Sequence, residues 1–109
     1  MIAEITARQG QLASLCERYG VLRLDLFGSA ARGSFNSVAS DLDFVALFAD
    51  RMSPNYVDRY LEFADALEAL FGRSVDLVTE RSIRSPSFRR AVDRDRETIY
   101  ERPGSATVA

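Results

Sequence analysis

The run Leu42-Asp43-Phe44-Val45-Ala46-Leu47-Phe48 carries one charge in an otherwise apolar stretch. A run of that length and composition fits a central β-strand, covered on both faces, better than a helix or a surface hairpin. The chain must therefore supply helices to cover a sheet. Its 109 residues suffice for one domain, which at this size buries roughly two-thirds of its unfolded surface.

The remaining elements fall around that strand. Ile2, Ile5, Leu12, Leu15 and Cys16 recur at helical spacing, so one helix is expected from Ile2 to Tyr19, stopped at Gly20. Val21, Leu22, Leu24, Leu26 and Phe27 interleave with Arg23 and Asp25 in a strand that ends at Gly28. From Gly28 to Ser40 the residues are small and polar, which predicts a short helical turn and then a loop. Tyr56, Val57, Tyr60, Leu61, Phe63, Ala64, Leu67, Leu70 and Phe71 mark a helix from Asn55 to Phe71, stopped at Gly72. Val75, Leu77 and Val78 flank Asp76 in a third strand, and Phe88 to Tyr100 reads as a last helix after Pro86. The expected fold class is α/β (α+β), a small mixed sheet of three to four strands flanked by helices. One domain is expected over residues 1–101, with residues 102–109 as a disordered tail.

Composition removes most enzyme chemistries. There is no histidine, so Ser-His-Asp and Cys-His catalysis and His-based zinc sites are excluded. All 14 basic residues are Arg, so neither a P-loop lysine nor a Schiff base is available. A net charge of −2 argues against binding a nucleic-acid backbone by its overall field, and no direct DNA binding is expected. The lone Cys16 sits on a helical face as a small hydrophobe. Without a disulfide, a leader-like N-terminus or an apolar span, a cytoplasmic protein is expected, with no membrane contact. Carboxylates, hydroxyls, arginines and backbone groups must carry any reaction.

Asp41 and Asp43 are one residue apart, a spacing that sends both side chains to one face of a strand. Like charges so close resist ionisation unless a divalent cation neutralises them, and hard carboxylate oxygens suit Mg²⁺ or Mn²⁺. Asp76 on the third strand is available to the same face, and three acids suit two metal ions able to activate a hydroxyl for attack on an α-phosphate. Gly28 and Ser29 open a helical turn whose free N–H groups and hydroxyl suit an anion. Arg32 follows one turn later, placed for a phosphate or for an acid of the site. Each signal alone has a plainer explanation: a DxD pair at a strand entry is commonly just solvated, and Asp76 also suits the exposed face of an edge strand.

Taken together, Leu26-Phe27-Gly28-Ser29-Ala30-Ala31-Arg32-Gly33, Ser40-Asp41-Leu42-Asp43-Phe44-Val45 and Val75-Asp76-Leu77-Val78 resemble the signature of the minimal nucleotidyltransferases of the polymerase-β superfamily. The resemblance implies that Gly28, Ser29, Arg32 and Ser40 hold the nucleotide. It implies that Asp41, Asp43 and Asp76 are both the catalytic acids and the ligands of Mg²⁺, with Asp76 helping to activate the acceptor hydroxyl. Members this short resemble the antitoxins of HEPN–MNT toxin–antitoxin pairs, which transfer AMP from ATP to a tyrosine of a HEPN ribonuclease. Specificity would then come from a partner chain or a homodimer contact. The alternatives are an antitoxin that acts by occlusion without turnover and a subunit of a small-molecule nucleotidyltransferase. The run Arg81, Arg84, Arg89, Arg90, Arg94 and Arg96 is a docking surface, a contact to the triphosphate, or a solvated helix interleaved with Asp93, Asp95 and Glu97.

Overall fold

In the computed structural model, residues 2–32 and 41–103 are described. Residues 33–40, among them Ser40, lie outside the described residues, as does most of the expected tail. The elements run α1 (Ala3–Ala7), α2 (Gln9–Tyr19), β1 (Val21–Phe27), α3 (Gly28–Arg32), β2 (Leu42–Phe48), α4 (Tyr56–Phe71), β3 (Val75–Thr79), a 3₁₀ turn (Glu80–Ser82), α5 (Pro86–Asp95) and β4 (Glu97–Glu101).

The sheet has the order β3-β2-β1-β4. β1 pairs antiparallel with β2 and with β4, whereas β2 and β3 are parallel. A parallel pair needs a crossover, and α4 supplies it. The apolar run is thus an inner strand, as its composition requires. Leu42, Phe44, Ala46 and Phe48 face a core shared with α1, α2 and α4, while Val45 faces a smaller cluster with Phe27, Ile83 and Val92 beneath α5. In the larger core Phe63 is fully buried and meets Phe48 edge-on at 5.9 Å between ring centroids. Burying such a ring contributes on the order of 2–3 kcal/mol. Among the described residues no helix is long and apolar enough to cross a membrane.

Two helical boundaries differ from those read in the sequence. The first helix is two, α1 and α2, broken at Arg8 where φ is −121° and ψ is 20°. Ile5 and Leu12 are both buried across the break. Their seven-residue spacing keeps one face in phase, so periodicity alone does not reveal the interruption. The last helix stops at Asp95, and Arg96 adopts an extended conformation (φ −63°, ψ 139°) that leads into β4. Thr98, Ile99 and Tyr100 are strand formers, and an edge strand needs only part of its surface apolar, which hides it from a periodicity reading. The order extends into the expected tail: the Arg102 N–H donates to the Leu22 carbonyl at 2.8 Å.

The turns that hold the layers together are fixed by specific side chains. Gly20 takes φ 72° at the end of α2, and the guanidinium of Arg59 fills the space a side chain there would need. That guanidinium donates to the carbonyls of Tyr19, Ala49 and Asp50 at 2.9–3.0 Å, tying α4 to the chain where it enters β1 and where it leaves β2. At α5, the Ser85 hydroxyl accepts from the Phe88 N–H and Pro86 occupies the first turn, the expected chemistry of a helix start.

Candidate functional site

The period-2 geometry of β2 sends Leu42 and Phe44 into the large core and Asp43 to the opposite face. Asp43 is directly paired with Asp76 on β3 and with Phe27 on β1. Asp41 lies just before β2 and is exposed, Asp43 is half-buried, and Asp76 is exposed. The sheet thereby brings two acids into register, with the third at the mouth of the same strand.

Electrostatics couples the three. Burial raises the Asp43 carboxyl above its ordinary value, the charges of Asp76 and then Asp41 push it further up, and Arg32 pulls it down. Such a carboxylate is short of positive charge. Among the described residues, however, no set of three acidic side chains is already drawn together as a metal-ligand cluster.

Gly28 fits against this group. It has φ 71°, and a Cβ there would overlap the Asp43 carboxylate. The end of β1 can therefore approach the acids only with glycine at this position. Ser29 follows in α3, and Ala30 anchors that turn in the core. Arg32, the last residue of α3, donates to Asp95 at 2.8 Å, so the acid it pairs with is not one of Asp41, Asp43 and Asp76. Asp95 is a site neighbour that the sequence reading missed. Its only signal there was a place in the alternating Asp93-Arg94-Asp95-Arg96 segment.

Beneath α5 runs an ion-pair network. Asp25 is 1% exposed and accepts from Arg96 at 2.8 Å and Arg23 at 3.1 Å. Arg96 also donates to Glu80 at 2.6 Å and Asp93 at 2.8 Å, and Arg89 donates to Glu80 at 3.0 Å. Burial acts to raise the Glu80 carboxyl, but hydrogen bonds from Arg96 and Arg89 outweigh it and hold the group below its usual range. Arg89, Arg94 and Arg96 are thus engaged within the domain, while Arg81, Arg84 and Arg90 are exposed. Cys16 is buried, with its thiol pushed up to about 12 by that burial and then by Glu17, the state of an inert core residue.

With this geometry in view, likeness to known proteins is informative. Residues 9–99 match the family described as the nucleotidyltransferase domain, a span that includes all three acids. The chain is 33% identical to the protein adenylyltransferase MntA of Thermococcus cleftensis, over 88% of this chain and 87% of that one. A solved structure provisionally named a minimal nucleotidyltransferase superposes with a TM-score of 0.69 at 36% identity, covering 84% of this chain and 89% of that chain. A chain from a solved toxin–antitoxin complex gives 0.64 at 25% identity, covering 87% of this chain and 73% of that chain.

Proposed function

We propose that this chain, which belongs to the nucleotidyltransferase domain family, transfers AMP from ATP to a tyrosine of a HEPN toxin and so silences it. The observation that carries this reading is the register pairing of Asp43 with Asp76, with Asp41 at the mouth of β2 and Gly28 closed against Asp43. The protein acceptor and the toxin partner draw support from the kinship to an MntA adenylyltransferase and the likeness to a toxin–antitoxin chain.

The donor set suits a divalent cation, because it is made of hard anionic oxygens and Asp43 is held up by burial and by its acidic neighbours. Asp41, Asp43 and Asp76 would hold Mg²⁺, which supplies charge neutralisation at the phosphates. The remaining work falls to the chain itself. Gly28, Ser29, Ser40 and Arg32 seat the triphosphate, and Asp76 takes the acceptor proton. The tyrosine oxygen forms a bond to the α-phosphorus as the bond from that phosphorus to the bridging oxygen breaks, and pyrophosphate leaves. Positioning and charge complementarity are the catalytic devices, consistent with a chain that has no histidine or lysine.

The test is the intact mass of a co-expressed all-helical partner after incubation with this chain, ATP and Mg²⁺. Increments of AMP that vanish on chelation of the metal are expected. A stable complex with no increment would sink the transfer reading for that partner and favour inhibition by occlusion.

A further inference from the structure

We infer that Asp95 is a positioning residue for nucleotide binding: it holds Arg32 so that the rest of its guanidinium faces the triphosphate. The inference rests on the nucleotidyl-transfer reading of the site and concerns a residue that lies outside the family's three motif segments.

Asp95 is the last residue of α5, and Arg32 is the last residue of α3. Although 63 positions apart in sequence, they meet through a 2.8 Å bond from Nη1 of Arg32 to Oδ2 of Asp95. The carboxylate is itself fixed by its neighbour: Arg94 donates from Nε to Oδ1 at 3.0 Å and from Nη2 to Oδ2 at 3.3 Å. Hydrogen bonds from Arg94 and Arg32 hold Asp95 ionised, below its ordinary value, against what desolvation it has. Its side chain is only 6% exposed and is bonded by two guanidinium groups.

The anchor engages only part of Arg32. A guanidinium has five N–H groups in a rigid fork, and among the described residues Arg32 bonds Asp95 through Nη1 alone, so that Nε and Nη2 are available there to a second anion. Arg32 remains 46% exposed, and its charge is felt at Asp43. An arginine tethered at one end and open at the other, within electrostatic reach of the acids, is pre-organised for a phosphate. An untethered arginine would have to give up its rotamer freedom on binding, and affinity would fall accordingly.

The test is equilibrium binding of a non-hydrolysable ATP analogue and of AMP, with Mg²⁺, to the unsubstituted chain, Asp95→Asn, Asp95→Glu, Arg32→Ala and the double variant Arg32→Ala/Asp95→Asn. Asp95→Asn should weaken the triphosphate roughly five- to tenfold, the range of one net hydrogen bond, because the substitution removes the tether and leaves the phosphate-facing nitrogens in place. AMP binding should change little, and Asp95→Glu should recover most of the loss. The double variant should bind no more weakly than Arg32→Ala alone, because both changes remove one unit. Unchanged or tighter triphosphate binding by a folded Asp95→Asn, or additive losses in the double variant, would overturn the assignment. A lowered melting temperature without a change in affinity would likewise reduce the pair to a tie between α3 and α5. Failure of the unsubstituted chain to bind the analogue would overturn the nucleotidyl-transfer reading itself.

Discussion

Asp43→Asn is expected to abolish AMP transfer, by roughly a thousandfold or more, while leaving a domain at least as stable as the original in metal-free buffer. The activity loss follows from place: Asp43 is the acid paired with Asp76 across β2 and β3 and the one packed under Gly28. Charge stabilisation through a metal-binding carboxylate is worth several kcal/mol of transition-state energy, about a factor of ten for each 1.4 kcal/mol. The stability result follows from the raised Asp43 carboxyl, whose causes are burial, then Asp76 and Asp41. A raised folded value means the ionised form is disfavoured in the native state. Its penalty appears as pH rises past the ordinary 3.8 and is complete once pH exceeds the raised folded value. Asparagine keeps the shape and removes the charge, so it also removes the penalty. Thermal unfolding beside the transfer assay checks both halves, and a variant that loses activity by unfolding would count against this assignment of Asp43.

Gly28→Ala should combine a stability loss with a catalytic one. The residue has φ 71°, a conformation that costs an L-residue about 1–2 kcal/mol. Its new methyl group would also displace the Asp43 carboxylate. A displacement of an ångström at a reacting centre lowers turnover about a hundredfold. Gly72→Ala is the control, because Gly72 has φ 66° but open space around its Cβ and lies at the end of α4. It should show a similar stability loss with transfer unchanged. Urea unfolding and initial transfer rates for the pair separate backbone strain from collision; equal catalytic losses in both variants would remove Gly28 from the site.

Much of this arrangement was legible before the structure. The apolar run of β2, the glycine at the end of β1 and the one-residue spacing of Asp41 and Asp43 each follow from local rules of period and turn chemistry. The boundaries that were missed were those where tertiary packing overrides local pattern. Arg8 breaks a helix whose buried residues stay in phase, and β4 became a strand because β1 offers it an edge. The Arg32–Asp95 pair was not legible because it joins two helix ends far apart in sequence, and nothing local distinguishes Asp95 from Asp93. The same holds for Asp25, which reads as a polar position on an alternating strand yet is buried against Arg96 and Arg23.

The proposed reaction breaks the bond between the α- and β-phosphates of ATP and moves AMP to a protein. Incubating this chain and a co-expressed all-helical candidate partner with ATP labelled at either the α- or the γ-phosphate, then following protein-bound label, distinguishes this from other transfers. Label is expected on the partner from the α-phosphate alone, with pyrophosphate released in equal amount. Label from the γ-phosphate, or from neither position despite stable association of the two proteins, would contradict it.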